Sequence, residues 1–476
     1  MNRREFGRLA VSFAGAGALA SWRAGAAARG YQPKFPALWD EVYASIQQDW
    51  KSDAVHSAEL PRPFMAESPG WNFSFYWDNY FMNLGLLRLE GYQQFARDAA
   101  DNLLALVERM GYVPNCNLSW GVNRSQPPYL SPTVREVYAV LPDKEWLHTA
   151  YMTLLKEYAF WMDEGAAPIE SHATGIAGLA RYSHHASRRE LLEFYDGALR
   201  ERFGFATDLP ELQKLEIANR YVSEAASGMD FTTRFEHRCN DFAAVDLSTL
   251  LYLYEENFLW MERELGLKPT RDWRQAAEAR RAKIQRYFWN EQRGFYFDYD
   301  LVQQRHGLVA SCAGFLPLWA GIPTPRQAAR ITEFLPVLEC EWGLAACEQS
   351  RHEHVYQWDY PVGWPPDMAL GMLALERAGY HSPARRIAAK FLDLVAANYD
   401  KPVSSNALLD QKTVQRSRGH LFEKYEVTTG KISDSEYPAF AGRCWTAGVF
   451  VYAYQLVKQA NQRRLHLLSD ALLPSA

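Results

Sequence analysis

The stretch FARDAADNLLALVERMG, residues 95–111, decides the fold class. Phe95, Ala99, Leu103, Val107 and Met110 recur at three- and four-residue spacing, which is the period of one helix face, and Gly111 supplies a stop. Outward from this segment the same period returns. Asp143 is placed to cap a helix running through Trp146, Ala150, Leu154, Tyr158 and Trp161, with Gly165 at its end. A helix from Asp246 to Leu265 is stopped by Gly266, and residues 271–288, 326–336 and 366–378 read the same way. Ser382-Pro383 predicts an N-cap and a first-turn proline for a helix reaching Tyr399, and a last helix is expected from about Cys444 to Ala460. Alternating apolar residues are scarce, and the clearest run, Gly294 to Tyr299, is short. No Gly/Ser-rich linker or low-complexity stretch divides the chain, so residues 29–476 read as one large all-α domain.

Composition narrows the function classes. A formal net charge of −5, with no long basic run beyond the first 30 residues, disfavours nucleic acid as a partner. Sixteen Trp and 26 Tyr suit either a large aromatic core or the binding of flat apolar faces such as those of sugars. The six Cys form no Cys-x-x-Cys pair, which disfavours a zinc site. At the N-terminus, Arg3-Arg4 precedes a small-residue apolar stretch, Leu9 to Ala20, and Ala26-Ala27-Ala28. That order predicts a twin-arginine export signal over residues 1–28 and a periplasmic or secreted protein. The apolar stretch is too short to span a membrane, so no membrane association is expected after its removal.

Between the helices lie long loops rich in Trp, Asn, Pro and Gly. In a helical protein such loops are where binding and catalysis concentrate. One runs from Pro69 to Phe81 and contains Trp77-Asp78. A second holds Asn115 and continues through Asn123-Arg124-Ser125-Gln126-Pro127-Pro128. A third is Ala226-Ser227-Gly228-Met229-Asp230-Phe231. A fourth is Gln357-Trp358-Asp359-Tyr360-Pro361-Val362-Gly363-Trp364-Pro365-Pro366. A fifth carries Phe422-Glu423-Lys424-Tyr425, then Ser435-Glu436-Tyr437 and Cys444-Trp445-Thr446. Carboxylates set among indoles and amides are what glycosidic cleavage requires. One acid protonates the leaving oxygen, a second carboxylate attacks the sugar or activates water, and Trp, Asn, Gln and Arg hold the rings.

These segments resemble glycoside hydrolase family 37, the trehalases, over roughly residues 60–460. The most specific matches are Gln357-Trp358-Asp359-Tyr360-Pro361-x-Gly363-Trp364-x-Pro366 and Arg124-Ser125-Gln126-Pro127-Pro128. The resemblance implies a six-hairpin (α/α)6 toroid with a pocket at one end, a disaccharide or other α-glucoside substrate, and inversion of configuration. It implies Asp230 as general acid and Glu423 as general base, with no metal or organic cofactor. It further implies sugar contacts from Trp77, Asp78, Asn115, Arg124, Gln126, Trp358, Asp359 and Glu436, with Trp364 and Trp445 as pocket walls. The chain departs from the family pattern around the pocket. The arginine expected before Trp77-Asp78 is missing, the tryptophan beside the acid is Met229, and a glycine-rich lid gives way to Lys431-Ile432-Ser433-Asp434-Ser435. A second family arginine has no clear match, and Arg181 lies in about its place. Altered pocket groups redirect specificity, so another α-glucoside, such as glucosylglycerate or a short α-glucan, stands as the alternative substrate. A non-catalytic sugar-binding protein is the remaining alternative, and a monomer is expected.

Overall fold

A computed structural model describes residues 31–67, 71–164, 171–350, 355–401, 419–442 and 444–458. The predicted signal segment 1–28 and Gly165 lie outside them. Fifteen α-helices are described. They are α1 (Pro36–Asp49), α2 (Asp78–Leu86), α3 (Gln93–Met110), α4 (Leu130–Val140), α5 (Lys144–Trp161), α6 (Arg188–Phe194), α7 (Arg200–Phe203) and α8 (Glu211–Ala225), followed by α9 (Val245–Leu265), α10 (Trp273–Tyr287), α11 (Leu316–Trp319), α12 (Pro325–Leu338), α13 (Pro365–Arg377), α14 (His381–Asn398) and α15 (Cys444–Lys458). The strands are two residues each and serve as clips between loops; none is longer among the described residues.

Local chemistry explains many of the helix ends. The Asp143 carboxylate accepts from the Trp146 backbone N–H at 3.1 Å, satisfying a donor that the first turn of α5 leaves free. Gly111 (φ 84°) and Gly266 (φ 66°) end α3 and α9 in the left-handed region, which costs glycine little. Ser382 does not cap α14 as expected. The helix starts two residues earlier, at His381, with Tyr380 at the cap and no capping side chain.

Six helices form an inner ring. α2, α4, α9, α11, α13 and α15 pack on one another in that order, and α15 returns to α2. α1, α3, α5, α10, α12 and α14 alternate with them along the chain and keep exposed faces. This is the expected (α/α)6 six-hairpin toroid. Its closure depends on a close helix crossing, because a Cβ on Gly85 would stand 2.7 Å from the Gly448 Cα. Each connection from an outer to an inner helix ends at an inner N-terminus, so these connections share one end of the ring. Residues 188–225 are inserted in the connection before α9, and Tyr195, Leu199, Ala218, Tyr221 and Ala225 form a small apolar cluster there, apart from the main core.

The five cysteines with described side chains are all free thiols. No described helix is long and apolar enough to cross a membrane.

Candidate active site

Every candidate site residue, Arg181 included, lies in one of five outer-to-inner connections or at the first turn that follows it. The Asp230 loop is fixed from several sides. Gly228 (φ 75°) lets the backbone press on an indole, since a Cβ there would stand 2.6 Å from Trp77 Cε2. Buried Glu224 accepts from the Thr232 N–H at 2.8 Å, and Asp359 Oδ1 accepts from the Thr233 N–H and hydroxyl at 2.8 and 2.9 Å. Arg234 is fully buried and paired in bidentate fashion with both Asp246 and Asp298, at 2.7–2.9 Å. Such a buried triad is held by geometry, and removing one partner costs about 3–5 kcal/mol.

Glu423 sits in the tight link between strands Leu421–Phe422 and Tyr425–Glu426. Its Oε1 accepts from the Phe440 N–H at 2.9 Å, and its own N–H donates to Phe440 O at 3.1 Å. Gln357 joins the two loops. Its side chain amide donates to the Asp230 carbonyl and its backbone N–H donates to Glu436 Oε1 at 2.9 Å. Lys424, buried beside Glu423, donates to Ser435 O at 2.6 Å and lies over the Tyr437 ring at 3.4 Å.

Asp230 is deeply surrounded by protein, yet its side chain remains 36% exposed. The carboxyl is therefore open to solvent rather than enclosed in packed core. Burial raises its pKa, and the positive charges of Arg202 and Arg124 oppose the rise. Burial pushes Glu423 up to about 7, with neighbouring Lys424 opposing and the charge of Asp230 adding to the rise. Glu436 is likewise raised to about 7, chiefly by burial. Asp78 is raised by burial and by the charges of Glu67, Glu423 and Asp230. Asp78, Arg124, Glu423 and Glu436 thus each interact electrostatically with Asp230.

The other expected residues fall into two groups. Asn115, Arg124 and Gln126 line up on the second connection. Arg124 donates to Asn115 Oδ1 at 3.4 Å and to Asn123 Oδ1 at 2.9 Å, and Gln126 accepts from the Trp77 N–H at 3.2 Å. The four indoles pack chiefly on each other. Trp358 and Trp364 stack at 4.3 Å, and the Trp445 ring meets Trp364 edge-on at 5.6 Å and Trp77 edge-on at 6.2 Å. All four are buried, so they form an apolar bed beneath the polar groups. Asp359 Oδ1 is taken by the threonines of the Asp230 loop, while its buried Oδ2 has no hydrogen-bond partner among the described residues.

Arg181 is not brought to this group. Its guanidinium donates to the carbonyls of Ser171 and Asn240 at 2.8 and 3.0 Å. The arginine that does arrive is Arg202, on α7 of the inserted segment. Its Nη1 stands 3.5 Å from Asp230 Oδ2 and 3.7 Å from Glu436 Oε2. No motif surrounds Arg202, and only the folding of residues 188–225 delivers it. Among the described residues no cluster of three or more His, Cys, Asp or Glu has the arrangement of a metal site.

A ring of six helical hairpins, with carboxylates gathered in loops at one end, defines the helical toroid class, and comparison with known proteins gives the family. The family model described as Trehalase matches residues 21–458. The cytosolic neutral trehalase of Pyricularia oryzae is 30% identical over 86% of this chain and 60% of its own length. That of Kluyveromyces lactis is 32% identical over 81% and 54%. Among solved structures, the neutral trehalase from Saccharomyces cerevisiae matches with a TM-score of 0.66 at 23% identity, covering 92% of this chain and 82% of that one. The GH63 mannosylglycerate hydrolase from Thermus thermophilus matches at 0.59 and 16% identity, covering 86% and 99%. At these identities the two structures show a shared fold.

The chain belongs to the trehalase family. It spans between half and two thirds of the length of the curated relatives named above. Those relatives are named cytosolic, which overturns the expected periplasmic or secreted location and its twin-arginine signal. Two arginines before a dozen small apolar residues are equally the pattern of an ordinary helix with a basic start, so the motif carries less than its order suggests.

Proposed function

We propose that the protein is an inverting α-glycosidase that hydrolyses trehalose to two glucose molecules. The observation that carries this reading is the meeting of Asp230 and Glu423. They lie on separate loops tied together by Gln357 and Arg202, each of which reaches Asp230 on one side and Glu436 of the Glu423 connection on the other, and burial raises both. Asp230 donates its proton to the glycosidic oxygen as the C1–O bond breaks. Glu423, as carboxylate, takes a proton from the water that attacks C1 on the opposite face. One glucose then leaves with the β configuration and the other retains α. Inversion requires the two carboxyls to stand roughly 6.5–9.5 Å apart, leaving room for that water.

The neighbouring groups fit a neutral polyol. Arg124 and Arg202 supply donors, while Asp78 and Glu436 supply acceptors and Asn115 and Gln126 supply both. Oriented groups of this kind stabilise charge as it develops at the ring carbon and oxygen. Family membership, together with retention of the Gln357–Pro366 and Arg124–Pro128 segments, supports trehalose over other α-glucosides. A substrate panel tests the choice. Glucose release from trehalose should exceed that from glucosylglycerate and maltose, and activity on either of these with none on trehalose would move the assignment to another α-glucoside.

A further inference from the structure

Arg202 lies between two carboxylates that have opposite needs. Its contacts to Asp230 Oδ2 and Glu436 Oε2, at 3.5 and 3.7 Å, both run through Nη1. A settled charge-assisted hydrogen bond spans about 2.7–2.9 Å, so the guanidinium is shared rather than seated. It rests between the rings of Phe231 and Tyr437, with its carbon 5.6 Å from each centroid, and the side chain is 32% exposed. Flat apolar faces on two sides leave it free to slide between its partners.

Glu436 has an unmet need. Its side chain is 1% exposed, and Oε2 has no hydrogen-bond partner among the described residues. An acceptor left in that condition is costly. Asp230 has the reverse problem. A general acid must carry a proton, and a guanidinium beside a carboxyl favours the ionised form. The charged and titratable groups that act on Asp230 are Arg202 from the inserted segment, Arg124 and Asp78 from the first two connections, Glu224 at the end of α8, and Glu423, Lys424, Glu436 and Tyr437 from the last connection. Of the three cations, Arg202 is the one in ion-pair contact with it.

We infer that Arg202 is a two-position switch on the general acid. In the free protein it holds Asp230 as a carboxylate. When a neutral sugar fills the site, its hydroxyls and Glu436 Oε2 take the guanidinium, and Asp230 binds one proton from solvent and becomes the acid. Arg202 is thus a positioning residue that arms the acid only in the occupied site. Glu436 is the second seat that makes the movement favourable. This inference rests on the glycosidase reading above.

The switch predicts proton uptake on binding. The probe is a trehalose analogue with sulfur in place of the glycosidic oxygen, titrated calorimetrically near pH 8, where Glu436 is already ionised and releases no proton on taking the guanidinium, in buffers of different ionisation enthalpy. The wild type should take up about one proton more than Arg202→Gln, in which Asp230 no longer has a cation to lose. Arg202→Lys should restore the uptake. Glu436→Gln removes the second seat and should also abolish it, so this variant carries the comparison if Arg202→Gln does not bind. Equal uptake in wild type and the variants overturns the switch. A wild type that hydrolyses trehalose but binds the analogue without proton uptake overturns the switch alone. A wild type that neither binds nor hydrolyses overturns the glycosidase reading with it.

Discussion

Asp230 and Glu423 are both carboxylic acids, set in different environments that suit the two roles proposed for them. Asp230 has two arginines acting on it. Glu423 has buried Lys424 beside it and accepts a backbone hydrogen bond from Phe440. A fluoride leaving group departs without a proton, so α-glucosyl fluoride separates the two roles. Asp230→Asn should lose activity on trehalose by orders of magnitude and retain a far larger share of it on the fluoride, while Glu423→Gln should lose both. Glu423 must be ionised to accept a proton from water. With its pKa near 7, kcat/KM for the fluoride should fall as pH drops below about 7, and a profile flat down to pH 5 would contradict the base assignment. Both residues can be read from short motifs because local sequence around them is distinctive. Arg202 cannot, because its place depends on how α6, α7 and α8 fold together. Arg181 misleads for the converse reason. Its position along the chain suggests a pocket arginine, but two backbone carbonyls take its donors.

At the scale of elements, the α2–α15 crossing closes the ring. A Cβ on Gly448 would lie 2.2 Å from the Phe81 carbonyl oxygen and 2.7 Å from the Met82 Cα, both rigid helix backbone. Gly448→Ala should therefore force the helices apart and destabilise the fold by about 1–3 kcal/mol, as overpacking commonly does. Thermal melts check this, and an unchanged midpoint would show that the crossing tolerates the methyl. Because Trp77-Asp78 and Trp445 start these two helices, kcat should fall with stability. The outer helices are legible in the sequence because half-buried helices carry an apolar stripe; α3 ends where Gly111 indicates, and α5 ends at Trp161, short of the expected stop at Gly165. α2 reads as loop in the sequence. All nine of its residues are buried, so it has no polar face to set a period against. The outer-to-inner connections stand out through their Trp, Pro and Asn, yet their common location at one end follows only from the alternation of the hairpins.

For the whole molecule, several carboxyls are buried with raised pKa. Burial pushes Glu67 and Asp367 to about 8, and Glu157, Glu423 and Glu436 to about 7. Between the ordinary carboxylate range and these values the folded chain holds protons that the unfolded chain has released. Stability should therefore fall as pH rises from about 6.5 to about 8; at lower pH the buried histidines His184, His185 and His306, whose pKa burial lowers, oppose the fall. Asp367→Asn mimics the protonated acid and keeps an acceptor for the Trp364 N–H, so it should flatten that slope in urea titrations across pH 5–9. An unaltered slope would mean that Asp367 is not among the groups responsible. The central claim concerns the whole ring acting as one hydrolase through two carboxyls. It is tested most directly by following trehalose hydrolysis with proton NMR, before the products mutarotate. Equal first amounts of α- and β-glucose are expected from the wild type, and almost none from Asp230→Asn or Glu423→Gln. Release of α-glucose alone, or near-normal turnover by either variant, would contradict it.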